Sequence, residues 1–255
     1  MKIGVFDSGV GGLTVLRAIR KRFSRVDIYY LGDTARVPYG TKSPETVIRY
    51  SLECAEFLSE RSIDVLVVAC NTASSYALDT LRATLSVPVI GVVEPGVTKA
   101  LSCTRGIVGV IGTSATIKSN AYQSRLKAAG VEVYSKACPL FVPLVEEGLL
   151  EGEITQRVIE MYLKEFKDIG IDTLILGCTH YPLLKGAIQE FLGNVEVVDS
   201  SDAVAEELSC IVRDEGNAKT ELFFTDMSQN LENLIEVILG NKLQPKILKE
   251  WAHRA

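Results

Sequence analysis

The sequence predicts an α/β protein of two pseudo-symmetric lobes, each a mostly parallel sheet flanked by helices, with an active site in the cleft between them. Three observations carry that prediction. Short apolar, β-branched runs recur along the 255 residues, and nearly all of them stop at a polar, chemically capable cluster. Stretches with helical spacing lie between the runs, the pattern of a parallel sheet covered on both faces. Finally, landmarks of the first half return in the second at nearly constant separation.

The first run, IGVF, ends at Asp7-Ser8 and leads through Gly9, Gly11 and Gly12 into the helical stretch LTVLRAIRKRF. IYYL then stops at Asp33-Thr34. In the helical stretch SPETVIRYSLECAEFLSER, Ser43 is a candidate cap and Pro44 occupies a favoured first-turn position. VLVVA runs into Cys70-Asn71-Thr72, VIGVV into Glu94, and IVGVI into Thr113-Ser114. VEVY heads towards Cys138, and the helical ITQRVIEMYLKEFKD follows. TLILG stops at Cys178-Thr179-His180, and VEVV at Asp199-Ser200. Parallel sheets bind ligands beyond the carboxyl ends of their strands, which is where these clusters fall.

The repeat has three landmarks. Ile3 to Ser8 resembles Val108 to Thr113, 105 residues on, and Val37-Pro38 recurs as Val142-Pro143 at the same separation. The strands SIDVLVVACNTAS and GIDTLILGCTHYP place Cys70 and Cys178 108 residues apart. Three landmarks in order favour two copies of one unit. The first lobe is expected to span residues 1–97 joined by 207–255, whose stretch ELFFTDMSQNLENLIEVILG offers a further strand and helix. The second is expected to span 98–206. Their two-fold relation carries Cys70 onto Cys178 across the cleft.

Composition excludes several classes. A formal charge of -5 leaves no basic footprint for nucleic acid or a membrane face, and no apolar stretch reaches the length of a membrane span. The N-terminus lacks the apolar region of a secretory signal, so a cytoplasmic location is the expectation. The six cysteines are at least 16 residues apart, so no CxxC pair exists for zinc or redox exchange. In a reducing compartment all six are expected as free thiols.

Each motif has a bland reading beside the functional one. Gly9-x-Gly11-Gly12 follows a strand, but Thr14 stands where a dinucleotide fingerprint needs its third glycine. A turn whose N–H groups hold a carboxylate, or a tight turn without a ligand, fits better. No phosphate-binding P-loop occurs. Asp7 and Asp33 each end a strand and suit capping, although the glycines beside Asp7 place it at the cleft floor. His180 stands two residues after Cys178 and can titrate beside it; His253 is expected to be solvated. A metal site of Cys70, Cys178 and His180 lacks a fourth ligand, and no metal or cofactor is expected. Glu146 and Glu147 read as a solvated pair that the repeat brings beside the cleft, opposite Val37 to Gly40.

Two equivalent thiols suggest a particular chemistry. A thiol can exchange a proton near neutrality when a histidine or helix N-terminus lowers its pKa. One thiol on each face of a carbon can remove a proton from one side and return it on the other, which inverts that centre.

The chain resembles the glutamate racemases of the cofactor-independent aspartate/glutamate racemase superfamily. The matching segments are GVFDSGVGGLTV, YLGDTARVPYGTK, VACNTAS, GVVEPG, GTSATIKS, PLVEEG, LGCTHYPLL and DSSDAVA, in order over about residues 3 to 206. The resemblance implies interconversion of L- and D-glutamate, supplying D-glutamate for peptidoglycan, with Cys70 and Cys178 as catalytic bases for opposite enantiomers. It assigns Asp7 to assist the first thiol and His180 the second, with the family's glutamate at Glu146 or Glu147. Asp7, Ser8, Tyr39, Gly40, Asn71, Thr72, Thr113, Thr179 and His180 match substrate-holding positions. It also implies a small-molecule substrate, no nucleic-acid or membrane partner, and a homodimer. Aspartate or hydantoin racemisation, a two-lobed binding protein with buried cysteines, and a thiol-redox protein remain as alternatives.

Overall fold

The computed structural model describes residues 1–227, 230–249 and 251; His253 lies outside them. In chain order the first elements are β1 (Lys2–Asp7), α1 (Leu13–Arg22), β2 (Asp27–Gly32), α2 (Pro44–Ser59), β3 (Val65–Val68), α3 (Asn71–Tyr76), α4 (Leu78–Thr84), β4 (Val89–Gly91) and α5 (Val93–Cys103). There follow β5 (Ile107–Gly112), α6 (Ser114–Lys118), α7 (Ala121–Ala128), β6 (Glu132–Ala137), α8 (Phe141–Glu146), α9 (Glu153–Ile169) and β7 (Thr173–Gly177). The last are α10 (Lys185–Leu192), β8 (Glu196–Val198), α11 (Ser200–Leu208), β9 (Thr220–Phe224), α12 (Leu231–Leu239) and β10 (Pro245–Ile247).

These strands form a six-stranded sheet, β10-β9-β2-β1-β3-β4, and a four-stranded one, β6-β5-β7-β8. Every pairing between them is parallel. The order β2-β1-β3-β4 is repeated as β6-β5-β7-β8, so β5 to β8 retrace β1 to β4. The strands that lead to Cys70 and Cys178, β3 and β7, therefore hold equivalent places. All four residues of β3 are buried, because apolar cores cover both faces of its sheet. Leu16, Ile19, Ile28 and Leu234 lie in one core and Phe57, Leu58, Leu66 and Val68 in the other. Strand β9 pairs with β2, which adds the C-terminal strands to the first sheet.

Local signals account for most boundaries. Ser43 Oγ accepts from Thr46 N–H at 3.3 Å and Pro44 opens α2, a cap worth about 1 kcal/mol. The run VIGVV is strand only to Gly91; Val92 N–H donates to Ser74 Oγ at 3.2 Å instead of continuing a ladder, and α5 begins. Positions 97 and 206 both fall inside helices. Val93, Val97 and Ala100 of α5 share a core with Val108, Val110 and Ile175 of the second sheet. Val204 and Leu208 of α11 share one with Leu16 and Ile19 of α1. Each crossing between the sheets is thus a helix packed on the sheet it is entering. Among the described residues no helix is long and apolar enough to cross a membrane.

Candidate active site

The carboxyl ends of β1, β3 and β7 converge. At the end of β3 the chain turns at Cys70, which caps α3: Ala73 N–H donates to its Sγ at 3.5 Å, and the thiol donates to Ser8 Oγ at 3.6 Å. At the end of β7, Cys178 Sγ lies 3.9 Å from His180 Nδ1. Both thiols are buried, 5% and 7% exposed, and both line one small cavity. Ser8, Gly40, Asn71, Thr72, Thr113 and Thr179 line it too. Its volume is about 20 Å³, room for about one water, whereas small-molecule sites usually hold several hundred Å³. The geometry is that of a closed cleft.

Contacts across the sheets hold it shut. Thr179 Oγ1 donates to Asp7 Oδ1 at 3.1 Å, while Gly9 N–H donates to Asp7 Oδ2 at 2.9 Å. The glycine-rich turn after β1 thus holds a carboxylate of its own chain. A Cβ on Gly11 would stand 2.5 Å from Thr179 Oγ1 and 2.6 Å from His180 Nδ1, so only glycine lets the two strand ends meet. Gly40 does the same on the other side, where a Cβ would lie 2.5 Å from Thr113 Cβ. The hydroxyls of Thr72 and Thr113 are 2.9 Å apart, and Thr116 joins them at 3.1 and 3.0 Å.

The structure separates residues that sequence left together. Glu146, at the end of α8, brings Oε1 to 3.3 Å from His180 Nε2, an ion-pair distance without hydrogen-bond alignment. Glu147 is exposed and, like Glu146, lines a neighbouring 270 Å³ hollow with Val37 and Asn230. Tyr39 lines the cavity, and its hydroxyl donates to Asp33 Oδ2 at 2.5 Å. Asp33 is no helix cap. It is fully buried, pairs with Arg36 Nε at 2.7 Å and accepts from Thr225 Oγ1 at 3.0 Å. Arg36 also pairs with Glu53 and stacks on Tyr50, 4.0 Å from the ring centroid. Such a buried network fixes the loop before Tyr39, and losing one partner would strand a charge.

Burial and local charge set the protonation states. Burial, with Asp7 nearby, pushes the Cys70 thiol up to about 12. Burial likewise raises Asp7, against the pull of His180 and of the Gly9 and Gly12 N–H groups. For His180 burial opposes the charge, but contacts with the Cys178 sulfur, Glu146 and Asp7 prevail and hold it up to about 10. At neutral pH the site therefore stores a proton on the Cys70 thiol and another on the His180 imidazolium. Among the described residues no group of three or more His, Cys, Asp or Glu is placed to hold a metal ion.

Two contributors carried no sequence signal. Thr116 sits one turn past Thr113 and completes the hydroxyl cluster. Tyr122 receives a hydrogen bond from Asn71 Nδ2 at 2.7 Å. A buried tyrosine in a helix reads as core, and only the fold brings its hydroxyl to Asn71.

Comparison with known proteins points to one family. The sequence profile of the Asp/Glu/Hydantoin racemase family matches residues 3–208. A glutamate racemase from Aquifex pyrophilus is 63% identical over 248 residues, 97% of either chain, and its solved structure gives a TM-score of 0.86. One from Aquifex aeolicus is 64% identical over 252 residues, 98% of either chain. The structure of a glutamate racemase from Francisella tularensis, solved in complex with D-glutamate, covers 98% of both chains at 36% identity and a TM-score of 0.90.

Proposed function

The chain belongs to the Asp/Glu/Hydantoin racemase family and is an isomerase, and on that premise we propose that it interconverts L- and D-glutamate by a two-base mechanism without a cofactor. The observation that carries the mechanism is that Cys70 and Cys178, equivalent in the duplicated topology, line the same closed cavity. The relatives are glutamate racemases and one was solved in complex with D-glutamate, which supports the choice of amino acid.

The chemistry balances within the site. A thiolate on one wall takes the α-proton: the Cα–H bond breaks, an S–H bond forms and the electron pair stays on carbon. The thiol on the other wall gives its proton to the opposite face, forming the new Cα–H bond and leaving a thiolate. Asp7 and His180 exchange protons with Cys70 and Cys178 respectively, and Glu146 keeps His180 charged. Asn71, Thr72, Thr113, Thr179, Ser8 and the Gly40 backbone hold the carboxylates and ammonium in a water-poor space, where fixed dipoles act most strongly. The D-glutamate formed serves peptidoglycan synthesis, in the cytoplasm, with the enzyme acting as a homodimer.

The test is incubation of the full chain with L-glutamate in D₂O, followed by optical rotation and Cα proton NMR. Loss of rotation with deuterium entering Cα is expected. Retained rotation and an undiminished Cα signal would refute the proposal, and repeating the incubation with L-aspartate would then identify another racemase.

A further inference from the structure

Tyr122 is fully buried in the core of the second sheet with Val108, Val110 and Ile175. Its hydroxyl nevertheless serves a residue that follows the first sheet: Asn71 Nδ2 donates to it at 2.7 Å. Asn71 directly follows Cys70, lines the cavity and is 4% exposed. A third group stands by the same phenol: Ser200, at the start of α11, interacts with it but is not aligned for a good hydrogen bond. The hydroxyl thus gathers one residue from behind the strand that leads to Cys70 and one from a helix that crosses between the sheets. Burial pushes it up to about 12, so it keeps its proton at working pH.

A side-chain amide has a donor end and an acceptor end, and a half-turn exchanges them. With Nδ2 engaged by Tyr122, Oδ1 is the end left for the cavity. We infer that Tyr122 is a positioning residue for the reaction: reaching across the boundary between the sheets, its hydroxyl holds the Asn71 amide in one orientation, so that substrate meets a fixed group when the cleft closes. This rests on the racemase reading above. It differs from a packing role because the ring alone, without the hydroxyl, would fill the core equally well.

The experiment uses the full chain carrying Tyr122→Phe, which keeps the ring, together with Asn71→Ala and the double variant. Kinetics are measured with L- and D-glutamate, alongside the melting temperature and the solvent exchange of the Asn71 side-chain amide protons by NMR. In Tyr122→Phe, kcat/KM should fall about tenfold in both directions, the scale of one buried hydrogen bond. The melting temperature should move by only a few degrees, the Asn71 amide protons should exchange faster, and the double variant should be no slower than Asn71→Ala. Unchanged amide exchange, kcat/KM within twofold of wild type, or losses that multiply in the double variant would overturn the inference. The amide exchange needs no turnover. A wild-type chain that fails to racemise glutamate therefore refutes the functional reading, while the exchange still decides whether the phenol holds Asn71.

Discussion

Thr179 Oγ1 and Asp7 Oδ1 lie 3.1 Å apart, a hydrogen bond joining the end of β7 in one sheet to the end of β1 in the other across 172 residues of chain. It is buried, and it ties the segment of one cysteine to the carboxylate proposed to assist the other. Thr179→Val keeps the shape and removes the donor, leaving a buried carboxylate short of a partner. We expect kcat/KM to fall roughly tenfold to a hundredfold, with Thr179→Ser close to wild type. Steady-state kinetics decide this, and equal activity of the Val and Ser variants would contradict it.

Cys70→Ser and Cys178→Ser should each lower racemisation about a thousandfold, the scale of a lost acid–base group. The circular dichroism spectrum should stay native, since the change is nearly isosteric. Each variant keeps one competent wall, so slow deuterium uptake should survive from one enantiomer only, and from opposite enantiomers in the two variants. Uptake from both enantiomers by either variant would mean that a single thiol serves both faces.

Glu146 and Glu147 are adjacent in sequence, yet it is Glu146 whose carboxylate reaches His180. Glu146→Gln removes the carboxylate 3.3 Å from His180 and should move the alkaline limb of the pH–rate profile to lower pH. Glu147→Gln should leave the profile where it was. Equal shifts in the two variants would show that general charge, and not the ion pair, sets the limb.

The pH dependence of stability follows from the direction of the shifts. His180 rises from its ordinary 6.5 to about 10, Cys70 from 9.0 to about 12, and Asp7 also rises. A group whose folded value is raised stabilises fully below its unfolded value and loses that contribution as pH climbs through the folded one. For His180 the window is pH 6.5 to 10. The melting temperature should fall across it, and His180→Asn should flatten the decline. A parallel decline in wild type and variant would place the cause elsewhere.

Much of this site was legible in the sequence because its signals are local. Apolar runs that stop at Asp7, Cys70 and Cys178 mark strand ends, and the 105- and 108-residue spacings encode a duplication that the strand orders repeat. What escaped is set by tertiary contact. Asp33 looked like a cap because one of its partners, Thr225, reaches it only when β9 pairs with β2. Gly11 reads from sequence as part of a carboxylate-holding or plain tight turn, but its need for glycine comes from Thr179 and His180, far along the chain. The choice between Glu146 and Glu147 depended on which side of α8 faces His180, which two adjacent letters do not encode.

The assistants on the two walls differ, although the strands beneath them match. On the proposed mechanism Asp7 attends one thiol and His180 with Glu146 the other, and at the place equivalent to Asp7 the second unit has Gly112. Yet the two enantiomers of an amino acid have the same free energy in water, so the equilibrium they reach is an even mixture. The Haldane relation then makes kcat/KM identical in the two directions at every pH, however lopsided the machinery. Damage to either wall must slow both directions equally by that measure. The asymmetry of the walls can show itself only in how each direction divides the same quotient between turnover and saturation.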